Sequence, residues 1–411
     1  MAKKVLIHCH VFSPDGVSSA YLYNDIALAL QAAGYEVEVL TTTPHFNVLP
    51  EALAAQPLHW KVPGIVKQSD FHGIRVWHVP QKKFGSTALR LLGFVWWHIV
   101  AFFVGLTIRD IDVVLSPSPV LTVGLLNLWF KRLKGCRVVY NVQEIYPDLM
   151  HLQPGLMLRT LQRIERKVYD GSDAVTTIDQ VFHDTIAGRF RDPSKLRIIP
   201  NFVDTQLYHP GTGHPDLDPA LFPETEDLRV VYAGNIGIAQ DWEPLLDLAK
   251  AMRGRPVSFF VIGEGARRDA LVAQKAALGL DNLHILPYQR RDRMAQVLDY
   301  SDLQFIFMHP DMEGEGFPSK VYTVMACGRP LLVCSGEGTP LVDFLSDKGC
   351  AELVTERDPD RKVGRMAAWL GSVSRAELRA MGERGLQVIA LHYSKDVVTR
   401  QYVALMDELT A

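Results

Sequence analysis

The stretch from Val5 to Thr41, VLIHCHVFSPDGVSSAYLYNDIALALQAAGYEVEVLT, decides the fold class. Val5 to Phe12 is an apolar-rich run that reads as a strand, and Ser-Pro-Asp-Gly-Val-Ser-Ser after it reads as a loop. Apolar spacing predicts a helix from about Ala20 to Ala33, stopped by Gly34, and Tyr35 to Thr41 forms a second strand. This β-loop-α-β order opens a doubly wound sheet, in which ligands sit at the carboxyl ends of the strands. Only Met-Ala-Lys-Lys precedes the first strand, and no small-residue cleavage site follows it, so the start reads as fold rather than signal peptide.

Outward from there, strands are expected at Ile74 to Val79, Val113 to Leu115, Arg137 to Val142, Ala174 to Ile178 and Leu196 to Ile199. The pattern then restarts. Leu228 to Ala233 runs into Gly234-Asn235-Ile236-Gly237 and a helix near Trp242, and Val257 to Ile262 runs into Gly263-Glu264-Gly265 and another helix. Leu283 to Leu286, Leu303 to Phe307, Leu331 to Val333 and Ala351 to Val354 complete a second set, so two α/β sheets in tandem are the simplest parse. Between them Tyr208 to Glu226, rich in Pro, Gly and Asp without apolar periodicity, reads as a linker. Ser394 stands where it can cap a last helix, Lys395 to Leu409.

Composition agrees. The 411 residues are 48% hydrophobic and 22% charged, which excludes a disordered or collagen-like chain and exceeds what one core usually fills. Five cysteines, at 9, 136, 327, 334 and 350, form no C-x-x-C pair and read as reduced, buried thiols. Net charge is -3, but residues 1–200 carry 21 Lys+Arg against 16 Asp+Glu, and residues 51–137 hold 11 against 4. A nucleic-acid binder is usually basic throughout, so no nucleic-acid partner is expected; the local excess suggests one face meeting an anionic surface. Leu91 to Ile108 carries no formal charge and lies between Lys82, Lys83, Arg90 and Arg109. Three readings compete for it: a membrane span, a buried core helix, and a helix lying in the membrane interface. Paired Trp96-Trp97, the basic flank and Lys131-Arg132-Leu133-Lys134 favour the last.

The chemistry concentrates in Glu313 to Pro330, EGEGFPSKVYTVMACGRP, a Gly-rich loop running into a helix. Free N–H groups in a first helical turn bind phosphate. Glu315 is placed to accept hydrogen bonds from sugar hydroxyls and Lys320 to neutralise phosphate charge, while a capped helix with solvated acids is the bland alternative. His8-x-His10 shares a strand face, but no carboxylate at suitable spacing completes a metal site, and no metal or other cofactor is expected.

Here the chain resembles the family 4 retaining glycosyltransferases of the GT-B fold, nearest to the bacterial branch that builds O-antigen, capsule and colanic acid. The family string E-G-F-G-x-x-x-x-E-A-M-A-C-G-x-P appears as E-G-F-P-S-K-V-Y-T-V-M-A-C-G-R-P over Glu315 to Pro330. Ile198 to Asp204 resembles V-I-P-N-G-V-D, Val231 to Gln240 the G-N-I-G-x-A-Q phosphate loop, Val261 to Gly265 the V-I-G-E-G turn, and His392 to Leu409 the closing F-S-W helix. The resemblance implies two doubly wound Rossmann-like domains facing a cleft, with the last helix crossing back. Residues 1–203 with 395–411 would form the acceptor and membrane side, and residues 204–394 the donor side. It implies metal-independent transfer of sugar from a nucleotide-sugar donor, UDP- or GDP-linked, to a lipid-linked saccharide acceptor. The enzyme would sit peripherally on the cytoplasmic face of the membrane through residues 82–109.

Carried onto this sequence, Glu315 is the glutamate that contacts the donor sugar. Gly316, Phe317, Ser319 and Lys320 lie on the loop that meets sugar and diphosphate, Gly263 and Glu264 on the turn near the nucleoside, and Gly16 on the first-domain loop approaching the diphosphate. Three positions depart from the family. The ribose-binding glutamate is Thr323, the diphosphate-clamping Arg and Lys are Asn235 and Gln240, and the first-domain histidine is Gln143, followed by Glu144. Charge compensation then falls on Lys320, helix termini and Arg290 or Arg291, while Gln143 is expected to donate to a sugar hydroxyl and Glu144 to order or deprotonate the acceptor. Two rivals remain: an enzyme like UDP-N-acetylglucosamine 2-epimerase, which shares the fold, and a peripheral membrane scaffold that has lost turnover.

Overall fold

The computed structural model describes residues 2–81, 86–150, 153–314 and 317–411. The chain divides into two compact units, Met1–Asn201 with Asp396–Ala411, and Phe202–Lys395. In the first unit the strands are β1 (Lys4–His8), β2 (Glu36–Thr42), β3 (His59–Val62), β4 (Val66–Phe71), β5 (Ile74–Val79), β6 (Val113–Pro117), β7 (Arg137–Val142), β8 (Ala174–Thr177) and β9 (Leu196–Ile198). They form one sheet in the order β3-β4-β5-β2-β1-β6-β7-β8-β9, parallel except around β4. Its helices are α1 (Ser18–Ala32), α2 (Pro50–Ala55), α3 (Thr87–Thr107), α4 (Leu121–Lys134), α5 (Leu156–Gly171) and α6 (Gln180–Ala187). Gly34 ends α1 with φ +93, a conformation that favours glycine.

The second unit holds β10 (Leu228–Ala233), β11 (Val257–Ile262), β12 (Leu283–Leu286), β13 (Leu303–Phe307), β14 (Leu331–Cys334) and β15 (Ala351–Val354). All are parallel, in the order β12-β11-β10-β13-β14-β15. Its helices are α7 (Glu243–Ala251), α8 (Arg268–Leu278), α9 (Met294–Tyr300), α10 (Lys320–Ala326), α11 (Pro340–Leu345), α12 (Pro359–Ser372) and α13 (Arg375–Val388). The final helix, α14 (Lys395–Thr410), belongs to the first unit. It buries Val398, Tyr402, Leu405 and Met406, and its Asp407 and Glu408 bond to Tyr35 and Arg197.

Three details differ from the sequence reading. The strands β3 and β4 were not expected. Tyr208 to Glu226 is no free linker: it lies within the second unit, where Leu217 and Phe222 are buried against Val231, Phe260 and Tyr300. Gly211 and Gly213 donate their N–H groups to Asp299, and Tyr300 donates to the Pro223 carbonyl.

The third detail is α3, a 21-residue helix with two apolar faces. One face, Trp97, Val100, Ala101 and Val104, packs into the first sheet's core with Leu6, Leu40, Val79 and Val114. The other leaves Leu91, Leu92, Trp96, Ile99 and Phe103 between 47% and 64% exposed. The helix is long and apolar enough to cross a membrane, but the packed face ties it to the sheet. The tryptophan pair is split, since Trp97 is core and only Trp96 faces outward. Lys82 and Lys83 lie outside the described residues.

Candidate functional site

In the second sheet the strand order reverses between β10 and β13, and three loops gather at that carboxyl end. The β10 loop donates Ile236 N–H to the Glu264 carbonyl, and Arg267 N–H returns to the Ile236 carbonyl. Glycines allow this interleaving. Gly263 has φ +149 and a Cβ there would overlap the Gly234 carbonyl oxygen; Gly265, at φ +155, meets the Ile236 carbonyl in the same way. Glu264 itself is exposed and pairs with Arg268 at 3.5 Å.

The third loop brings Lys320 into this turn. Its ammonium donates to the Ala233 carbonyl at 3.3 Å and lies 3.7 Å from the centre of the Tyr232 ring. A Cβ on Gly234 would come within 2.6 Å of that nitrogen, so the missing side chain makes the space the ammonium fills. Although Lys320 as a whole is partly exposed, its ammonium runs inward, and burial lowers its pKa from 10.5 to about 7. Among the described residues no carboxylate pairs with it. The Tyr232 phenol facing it donates to the Asn235 carbonyl at 2.7 Å and is pushed up by burial.

The other motif positions are as follows. Glu315 and Gly316 lie outside the described residues. Phe317 packs into an aromatic cluster, 4.8 Å from Phe344 and 5.2 Å from Tyr322. Ser319 is exposed and precedes α10 without a side-chain capping bond. Thr323 bonds back to the Lys320 carbonyl at 2.8 Å. The helix α10 is only seven residues long, so its dipole is weak and Lys320 is the stronger source of positive charge. Asn235 reaches the surface. Gln240 does not: it is buried, its amide directed to the Met308 sulfur at 3.7 Å, so this position presents no side chain to a diphosphate. Arg290 and Arg291 are exposed, Arg290 pairing with Asp292.

Sequence reasoning missed Glu313 as an anchor. It is buried, accepting the Gly336 N–H at 2.6 Å and the Ser335 hydroxyl at 3.2 Å while paired with Arg357. Burial alone would raise its pKa; the Gly336 N–H and then Arg357 outweigh that and hold it low. The loop that carries the motif is thereby fixed to the β14 end. A glutamate directly before Gly-Glu-Gly was the available signal.

At the carboxyl end of the first sheet, the reversal falls between β1 and β6. Asp15, buried in the β1 loop, accepts the N–H groups of His45 and Phe46, each at 2.7 Å. Gly16 beside it donates to the Phe46 carbonyl, and its missing Cβ is required by the Asn47 carbonyl oxygen, 2.5 Å from where that atom would lie. On this loop, expected to approach the diphosphate, the space beside the Gly16 Cα is taken by the protein's own backbone at Asn47.

After β7, the Ser118 hydroxyl accepts the N–H groups of Gln143 and Glu144 and donates to the Glu144 carbonyl. Gln143 donates an amide hydrogen to Asn141 at 2.7 Å, within a buried network that includes Tyr23 and Thr176. Glu144 remains more than a third exposed, yet surrounding protein desolvates its carboxyl enough to raise the pKa. His8 is buried and His10 half-buried beside Trp97, and enclosure of their rings holds both neutral, with pKa values lowered to about 4 and about 3. Among the described residues no group of three His, Cys, Asp or Glu is placed to hold a metal ion.

Comparison with known proteins reads the same two halves. A glycosyl transferase 4-like domain matches residues 19–201, and the glycosyl transferases group 1 domain matches residues 215–387. The chain belongs to the GT-B glycosyltransferases. It is 25% identical over 312 residues to the probable glycosyltransferase WbjE of Pseudomonas aeruginosa, covering 72% of this chain and 75% of that one. It is 22% identical over 354 residues to the putative colanic acid biosynthesis glycosyl transferase WcaI of Escherichia coli, covering 82% and 84%. Sucrose-phosphate synthase from Thermosynechococcus elongatus superposes with a TM-score of 0.73 at 14% identity over 99% of both chains. Anabaena HepE in complex with UDP and glucose superposes with 0.68 at 14% identity, over 99% and 100%. These likenesses bear out the family named from the motifs, and this GT-B chain is a glycosyltransferase.

Proposed function

We propose that this glycosyltransferase moves a sugar from a UDP- or GDP-sugar to a lipid-linked saccharide, with retention, during assembly of a cell-surface polysaccharide. It works peripherally at the cytoplasmic face of the membrane. The donor class is supported by HepE, solved with UDP and with UDP-glucose, and the pathway class by WcaI, named for colanic acid biosynthesis. The outward face of α3, apolar and flanked by the basic residues Arg90 and Arg109, supports the membrane contact.

The observation that carries the donor site is the Lys320 ammonium, held beneath the glycine turns of β10 and β11 with no carboxylate partner among the described residues. In the proposed step the acceptor oxygen attacks the anomeric carbon from the face the diphosphate leaves. The bond from that carbon to the diphosphate oxygen breaks, and that oxygen takes the acceptor proton. Charge develops on the leaving oxygen, so a positioned cation and N–H donors lower the barrier without a strong side-chain base. Glu315 contacts the donor sugar, while Gln143 and Glu144 face the acceptor.

A thermal-shift screen against UDP, GDP, ADP and their sugars tests the donor class, since ligand bound to the native state raises apparent stability. A rise with UDP or GDP is expected. No response to any nucleoside diphosphate would favour the inactive scaffold, and epimerised donor without acceptor would favour the epimerase. Glu315→Ala is expected to cut transfer at least about a hundredfold with unchanged melting; near-normal turnover removes Glu315 from the site.

A further inference from the structure

Beside α3 the first sheet carries a second outward apolar element, the tip joining β3 to β4. His59 to Ile65 is exposed throughout, with Trp60 at 50% and Val62 and Ile65 each at 42%. An edge strand with such side chains normally invites pairing with another chain. Here Lys61 and an irregular register between Trp60 and Val62 work against strand addition, so the exposed side chains call for an occupant that is not a strand.

The sheet register places the tip. Because β4 runs antiparallel to β5, with Lys67 opposite His78, the tip stands at the carboxyl end of β5. Val66, at the base of the tip, is buried in the same cluster as Val79 and the α3 residue Trp97. Tip and helix are thus fixed to one piece of core.

Charge identifies the partner. Residues 57–109 contain seven Lys and Arg and one acid, Asp70. That acid is at the far end of β4, where it caps the turn by accepting the Gly73 N–H. Lys67 lies 4.8 Å over the Trp60 ring. An indole with one lysine over its ring and another, Lys61, next to it in sequence is an arrangement that settles at a headgroup boundary, with the ring in the acyl margin and ammonium groups toward phosphate.

We infer that the β3–β4 tip, through Trp60, Val62 and Ile65 with Lys61 and Lys67, is a second membrane anchor that docks on a bilayer rich in anionic headgroups. The inference rests on the membrane contact proposed for α3 and extends it. Two anchors on one core fix the tilt of the first unit as well as its height. They set the carboxyl end of its sheet, where ligands of doubly wound sheets bind, against the lipid surface.

Co-sedimentation of the full chain with phosphatidylglycerol–phosphatidylcholine vesicles, against phosphatidylcholine alone, tests it. Wild type is expected to sediment with the anionic vesicles, and W60S/V62S/I65S to partition about tenfold less. All three side chains are exposed, so melting should not change. A fluorophore on V62C is expected to shift to the blue with anionic vesicles only. Wild-type partitioning of the triple variant, or an unshifted fluorophore, overturns the inference. The variant L92S/W96S/F103S separates it from the α3 contact. If that variant releases the protein while the tip variant does not, the tip falls and α3 stands. If the tip variant alone releases it, the tip stands and the α3 contact fails; if the wild type never sediments, both fail. A dimer broken by the tip variant, with vesicle binding unchanged, would make the occupant a second copy and overturn the membrane assignment.

Discussion

At the strand ends of the second unit the β10 and β11 loops meet backbone to backbone, Gly263 against Gly234 and Gly265 against Ile236, while in the first unit, Gly16 against Asn47 aside, side chains hold the loops. There Asp15 gathers His45 and Phe46, and Ser118 gathers Gln143 and Glu144. Positive charge differs as well: the Lys320 ammonium is turned inward at the second site, whereas the histidines beside the first are held neutral. Backbone packing leaves little freedom and suits a ligand part common to many donors, a diphosphate. Side-chain clamps can be exchanged one at a time, which suits an acceptor that varies.

Gly263→Ala should break the second site most severely. It combines a positive φ with an overlap on a carbonyl, and a loss of about 3 kcal/mol or more in chemical denaturation is expected. A loss under about 1 kcal/mol would show that the turn can open. In the first unit, Asp15→Ala strands two N–H groups and should cost about 1–3 kcal/mol while UDP affinity stays unchanged. A parallel fall in UDP affinity would erase the distinction between the two sites.

Lys320→Met should weaken UDP binding about tenfold, measured by calorimetry, with the fold intact. Unaltered affinity would move the diphosphate elsewhere. The smallest effect sought is a proton. Native Lys320 loses its proton near pH 7 and the unfolded chain only near 10.5, so between those values the native state binds fewer protons. Stability therefore gains from this group as pH rises through that window, and the full cost of the buried charge is present below pH 7. Lys320→Met should flatten that rise. A bound diphosphate keeps the ammonium charged, so UDP binding at pH 8 should take up a proton, visible as a difference between HEPES and Tris calorimetry and absent in the variant.

Much of this was legible because parallel strands buried on both faces read as continuous apolar runs. Strands such as VSFFVI (Val257–Ile262) and LQFIF (Leu303–Phe307) announce themselves. HWKV and VKQSDF do not, because the edge strand β3 is exposed throughout and β4 carries polar residues at four of its six positions. Composition also misled at residues 208–226, where two apolar anchors, Leu217 and Phe222, outweigh the Pro, Gly and Asp around them. The motifs located the loops that gather at the carboxyl ends of β10, β11 and β13, but not which side chains point inward. Gln240 and Lys320 are both polar residues next to glycine-rich turns, and only their neighbours, Met308 for one and Tyr232 for the other, separate an inward amide from a poised cation.

The placement of α14 has a consequence for synthesis. Tyr402 is wholly buried and Asp407 bonds to Tyr35, so the first unit lacks part of its core until α14 leaves the ribosome. The second unit is one continuous stretch and can finish earlier. During translation the first unit, begun before the second, is therefore completed after it, with its apolar α14 seat open for the time needed to make some two hundred residues.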